Sequence, residues 1–217
     1  MSYNVHGLAD DRAALVSLIR DLEPDVLIVQ EAPRRFRWRH KCAALADDAG
    51  LVVAAGGMPA LGNLLLVNMR VAVHETWCTR FPLTPGRHMR GAAFARGSVR
   101  GGRFTLSGSH LATDPAERPS QAAVWKEQLS AIEGPVIVAG DLNEGPGGGA
   151  WRMVEDGLST AAESAPTFPA SLPARRIDGI FVSTDITIEK YEVVDDERAL
   201  SASDHLPVIA DLVLPSS

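Results

Sequence analysis

The stretch Gly140-Asp141-Leu142-Asn143 closes the apolar run Pro135-Val136-Ile137-Val138-Ala139. A strand with no polar face is buried on both sides. Its end therefore brings a carboxylate and a carboxamide to the rim of a core, where they need partners such as a cation or a phosphate. Taken alone, the stretch is better read as an Asx-turn entering a glycine-rich loop. It does not stand alone. Asn4 lies in SYNVHG at the chain start, Glu31 closes DVLIVQE, and His110 closes RFTLSGSHL. Asp178 sits early in RRIDGIFV, and SDHLPV places Asp204 and His205 just before the last apolar segment. Singly, each has a plain structural explanation as a turn cap, a surface acid or a core histidine. Carboxylates from several strands, joined by an asparagine and two histidines, make a set suited to phosphate or a hard cation.

Strand-like segments must carry these groups. Residues 26–30, 63–69, 71–77, 92–99, 103–110, 135–140, 177–182, 186–194 and 206–214 read as strands. Within 103–110 a period of two puts Phe104, Leu106, Gly108 and His110 on one face, so His110 points to the core side. Helices are expected over 10–22, 35–49 and 115–132. In the first, Leu15, Leu18, Ile19 and Leu22 fall at helical spacing behind Asp10 or Asp11 as N-cap. The directly successive strands within 63–110 suggest antiparallel pairing, and βαβ-like spacing is read near both chain ends. The sum is a mixed α/β arrangement with helices outside the sheets, in one domain spanning 1–217.

Composition narrows the function classes. The net charge of −6 argues against an electrostatic nucleic-acid binder overall, although a local basic cleft is compatible with it. Cys42 and Cys78 are the only cysteines, too few for a disulfide framework or a thiolate zinc site. No apolar run approaches the roughly 18 residues of a membrane span, and the start carries no secretory pattern. A cytoplasmic monomer is the default expectation. The sequence holds no HExxH, no P-loop lysine and no Rossmann fingerprint.

In their order and types, SYNVHG, QE, SHL, GDLN, RRIDGIFV and SDHLPV resemble the endonuclease/exonuclease/phosphatase superfamily, the deoxyribonuclease-like fold. The motifs span residues 2–208. The resemblance implies an α+β, four-layer αββα sandwich of two packed mixed β-sheets, with the site at one rim. It also implies hydrolysis of a phosphate ester with Mg²⁺, or alternatively Mn²⁺. By that resemblance Glu31 is the principal metal ligand, with Asn4 and Asp204 beside it. Asp141 orients or deprotonates the attacking water, and Asn143 holds the phosphoryl group or Asp141. His205 contacts a non-bridging oxygen, with Asp178 fixing its ring, and His110 steadies the phosphate or assists the leaving oxygen. A neutral imidazole donates from one nitrogen only, so Asp178 would choose which. His6, two residues after Asn4, is left outside the metal shell.

The substrate class stays open among nucleic acid, a lipid headgroup, an inositol phosphate and a nucleotide-like molecule. RRFRWRHK (34–41) follows Glu31 closely. Its basic residues and aromatics could grip a nucleic-acid backbone, or form a solvated face. On helical spacing Trp38 joins Cys42 and Leu45, while Phe36 is an apolar ring on the polar side. GRHMRG (86–91) is a further basic spot, and Arg175 or Arg176, beside Asp178, could meet a substrate phosphate. The leading expectation is a nuclease-like phosphodiesterase. A phosphomonoesterase is the runner-up, and a catalytically silent binding module on the same fold is the non-enzymatic alternative.

Overall fold

Runs of aliphatic residues in this chain become strands, and the amphipathic stretches between them become the helices that cover those strands. In the computed structural model, residues 1–161 and 164–215 are described. The chain runs β1 (Ser2–Asn4), α1 (Arg12–Leu22), β2 (Val26–Gln30), α2 (Trp38–Asp48), β3 (Val52–Gly57) and β4 (Asn63–Val67). It continues with β5 (Ala72–Arg80), β6 (Gly91–Val99), β7 (Gly102–His110), α3 (Arg118–Ser130), β8 (Val136–Asp141) and α4 (Gly149–Glu155). β9 (Leu158–Ser159), β10 (Asp178–Ser183), β11 (Thr187–Val193), α5 (Glu197–Ala202) and β12 (Val208–Val213) complete it.

Two six-stranded mixed sheets result, ordered β11-β12-β1-β2-β4-β3 and β5-β6-β7-β8-β10-β9. Ile28, Leu65, Phe104, Leu106, Ala139 and Ile180 form part of the core between them. Residues of α1, α2 and α5 bury against the outer face of the first sheet. Those of α3 and α4, including Trp125 and Trp151, cover the second. The architecture is the αββα sandwich. Gly108 lets the sheets approach, since a Cβ there would meet Ile28 Cγ2 at 2.5 Å. No helix among the described residues is long and apolar enough to cross a membrane.

Several sequence expectations are corrected. β4 and β5 are not paired; the chain changes sheets between them, and β4 pairs with β2 and β3. A βαβ unit does open the chain as β1-α1-β2, but the second is β7-α3-β8, in the middle. The strands near the C-terminus pair antiparallel instead. Strand β3 was hidden by its composition, Val-Val-Ala-Ala-Gly-Gly, which shows no alternation. The expected helix 35–49 begins at Trp38, so Phe36 precedes it and stands 83% exposed. Trp38 is partly buried against the Cys42 and Leu45 cluster. The glycine tract after Asn143 enters α4, whose first turn is tied down by Glu144 Oε1 accepting from Trp151 N–H at 2.9 Å.

β1 is three residues long yet central, paired with β2 along its length and with β12 at Ser2. Where β12 runs on beyond that pair, residues 209–212 and 24–26 help line a cavity of about 290 Å³ between the sheets, at the opposite end of β1 from Asn4.

Candidate active site

The candidate residues gather because strands of both sheets end or begin at one rim. Asn4 ends β1, Glu31 follows β2, and His110 and Asp141 end β7 and β8 as parallel neighbours. Asp178 begins β10 directly opposite Asp141 in the antiparallel pair. Asp204 and His205 precede β12. Gly140 permits the tight β7–β8 approach beneath Asp141, as a Cβ there would lie 2.1 Å from Ser109 O. Glu31 and Asn143 adopt left-handed backbone (φ 56° and 55°), a strain of about 1 kcal/mol or more that clusters at functional sites.

Asp141, Asp178 and His205 are buried and offer ligand atoms within 4.8 Å of one another. His205 Nδ1 lies 2.9 Å from Asp178 Oδ2, and the same oxygen accepts from the Thr167 hydroxyl at 2.6 Å. Burial opposes a charged His205. The charge of Asp178 and its hydrogen bond, followed by Asp141 and Asp204, outweigh that burial and raise its pKa to about 9. A raised pKa favours the imidazolium, which donates from both nitrogens, over the neutral ring, which donates from one. Nε2 lies 3.7 Å from Asp141 Oδ2. Phe168 tilts against the ring, its centroid 4.7 Å away.

Burial raises the pKa of Asp141 to about 7, with Asp178 pushing the same way; His205, the Asn143 backbone N–H and Asn4 act against the rise. His110 moves oppositely: burial, then the charges of Arg90, His205 and Arg34, hold its pKa well below 6.5. Arg90 Nη1 is 3.1 Å from His110 Nδ1. An arginine can only donate, and the Asn143 NH₂ stands 2.9 Å from His110 Nε2. A neutral ring accepts at one nitrogen, so it takes a bond from Arg90 or from Asn143 and not from both, with Nε2 also 3.2 Å from Asp141 Oδ2.

The two asparagines serve as donors. Asn4 Oδ1 accepts from His6 N–H at 3.1 Å, leaving the Asn4 NH₂ to face Asp141 Oδ2 at 3.1 Å and Glu31 Oε1 at 3.4 Å. In this orientation Asn4 offers no oxygen inward; as an oxygen ligand its amide would be reversed. Asn143 contacts Asp141 through its backbone N–H (2.9 Å), while its side chain donates to Leu111 O and abuts His110 Nε2. Arg175 donates to Asn143 O at 3.1 Å beside the cluster. Arg176 donates to Ala161 O, its guanidinium over the Trp151 and Tyr191 rings.

The residues fit a divalent cation on two counts. Asp178 Oδ1 is buried with no hydrogen-bond partner, and Glu31 and Asp204 present carboxylates 39% and 40% exposed. Carboxylate oxygens of this kind suit Mg²⁺ or Mn²⁺.

Two contributors escaped the sequence reading: Thr167 orients Asp178, and Arg90 lies against His110 Nδ1. His6, left outside the metal shell on sequence, has Nδ1 3.8 Å from Asp204 while bonded to Asp10. Thr167 carried no signal, coming from a loop with no motif. The basic spot around Arg90 was visible, but its partner was not.

The sequence profile of the Endonuclease/Exonuclease/phosphatase family matches residues 1–205, and the chain belongs to that family. No curated protein matches it in sequence. Among solved structures it is similar to the mannosyl-6-phosphatase Bt3783 of Bacteroides thetaiotaomicron VPI-5482 (TM-score 0.82, 17% identity, 98% of each chain covered). It is also similar to TDP2 of D. rerio complexed with single-strand DNA product (TM-score 0.79, 20% identity, 98% of this chain and 97% of that one). The human Nocturnin catalytic domain with bound sulfate superposes with a TM-score of 0.77 at 16% identity, over 98% of this chain and 92% of that one.

Proposed function

We propose that this protein is a divalent-metal-dependent hydrolase of phosphate esters, acting as a phosphodiesterase of nuclease-like type through in-line attack of water. The observation that carries this reading is the chain Thr167–Asp178–His205 beside Asp141. It sets a fixed cation next to a carboxylate whose pKa lies near neutrality.

Glu31 and Asp204 would hold the cation. Bound there, it would neutralise charge growing on the phosphoryl oxygens. His205 Nε2–H donates to a non-bridging oxygen, with Asp178 anchoring the other side of the ring. Asp141 takes the proton of the attacking water as the water oxygen bonds to phosphorus; the ester P–O bond breaks with its electron pair leaving on the ester oxygen, which takes a proton from solvent. The neutral His110 steadies Asp141 and the phosphate, and the Asn4 NH₂ keeps the acids in register. Arg175 is the better placed of the two arginines to meet phosphate.

The test incubates the protein with Mg²⁺, Mn²⁺ or EDTA and with bis-p-nitrophenyl phosphate, p-nitrophenyl phosphate or plasmid DNA, beside Glu31→Ala. Metal-dependent cleavage of diester or plasmid, lost in the variant, supports the reading. Release from the monoester alone would replace it with a phosphatase, the activity named for the mannosyl-6-phosphatase neighbour. Silence on every substrate with no metal uptake would favour a binding module.

A further inference from the structure

One wall of the cleft takes no part in the chemistry above. Beside Glu31 and His110 opens a cavity of about 550 Å³, walled by Arg34, Arg35, Lys41, His88 and Arg90. Among the described residues six other arginines are ion-paired, including Arg12 with Asp48, Arg70 with Asp25 and Arg96 with Glu75, these three within 2.7 Å. Among the described residues, Arg34, Arg35, Lys41 and Arg90 make no ion pair. Arg34 spends one nitrogen on Leu61 O at 3.2 Å, and Arg90 one on His110. The Nε of Arg90 is buried without any partner.

Four cations gathered on one concavity repel each other, and a buried guanidinium N–H without an acceptor costs about 1–3 kcal/mol. An oxyanion relieves both costs. Guanidinium forks and an ammonium are the groups that grip phosphate, and a cavity of this size admits one with part of its carrier.

We infer that this cavity is a second phosphate site, so that the substrate carries another phosphate on the Glu31–His110 side of the scissile one. The inference rests on the hydrolase reading for which phosphate is cleaved, but not for the binding itself. It makes the substrate an ester carrying two phosphate groups. A diester with a single phosphate is then a poor mimic. Arg35 and Lys41 are specificity residues, remote in role from the proton transfers at Asp141.

The experiment measures binding first. Thymidine 5′-monophosphate, thymidine 5′-diphosphate and thymidine 3′,5′-bisphosphate are titrated calorimetrically into the protein with Ca²⁺. The paired doubly substituted variants Arg35→Gln/Lys41→Gln and Arg35→Glu/Lys41→Glu follow, with circular dichroism confirming their fold. The expected result is that at least one two-phosphate nucleotide binds tenfold or more tightly than the monophosphate, and that both variants reduce this ratio to about one. Which nucleotide shows the gain tells an adjacent phosphate from a separately esterified one. Equal affinity of all three for the wild type overturns the proposal, as does a ratio untouched in both variants.

Kinetics then separates this claim from the hydrolase reading. The p-nitrophenyl ester of thymidine 5′-phosphate is compared with the same ester carrying a 3′-phosphate, in Mg²⁺. A gain in kcat/KM expressed through KM agrees with a separately esterified second phosphate. If neither ester is hydrolysed, the hydrolase reading fails and the binding ratio alone decides for or against the second site.

Discussion

Asp178 Oδ2 joins Thr167 and His205 at 2.6 and 2.9 Å, and all three residues are buried. One carboxylate oxygen thus fixes both the position and the charge of the histidine. Asp178→Asn should remove that charge support, so the pKa of His205 should fall from about 9. Turnover should drop about 10²–10⁴-fold, the range of a lost acid–base partner. NMR titration of the His205 ring in the metal-free protein, beside a pH–rate profile, checks both. An unchanged ring titration would refute the pairing.

Thr167→Val keeps the shape and deletes the donor to Asp178 together with the acceptor of the Ile177 and Asp178 N–H groups. Asp178 Oδ2 would lose its 2.6 Å bond, and stability should fall by about 1–2 kcal/mol in urea unfolding. Activity should fall about tenfold while KM changes little, because the threonine acts through Asp178 and His205.

The acid and the histidine also set the pH dependence of stability. Asp141 has a pKa raised from 3.8 to about 7, so the folded state keeps a proton that the unfolded state has lost. Stability therefore falls as pH rises through 3.8 to 7, and the full penalty holds above 7. His205 is raised from 6.5 to about 9; its contribution is complete below 6.5 and is lost as pH rises through 9. In EDTA, Asp141→Asn should melt a few degrees above the wild type at pH 8, a gain on the order of 1–3 kcal/mol, and about level with it near pH 4. It should also be inactive. A melting temperature lowered at pH 8 would refute the strained-acid account.

Saturating Mg²⁺ should raise the melting temperature of the wild type, since a ligand at 100 times its Kd stabilises by about 2.7 kcal/mol. Glu31→Gln should abolish most of that rise and lower activity at least 100-fold. Calorimetric Mg²⁺ titration of both proteins is the direct check.

Gly140→Ala tests the scaffold beneath the site. Its Cβ would press on Ser109 O at 2.1 Å, backbone against backbone, so β7 and β8 must part. A loss of about 2–4 kcal/mol is expected in urea unfolding, comparable with other backbone and overpacking lesions.

The sequence by itself determined the strands that carry the site and the identities of the groups at their ends. A buried strand announces itself by composition, and Asp141 after Val136–Ala139 or His110 on the Phe104–Leu106 face follows from local periodicity. Segments without periodicity stayed hidden. Strand β3 has small residues and no alternation, and α4 begins in glycines. Tertiary structure decided what depends on distance. Asn4 and Asp141 lie 137 residues apart, and only the packing of one sheet on the other brings them to 3.1 Å. The charge of His205, the neutrality of His110 and the raised pKa of Asp141 arise the same way, because burial and neighbouring charge are properties of the folded surroundings and not of residue type.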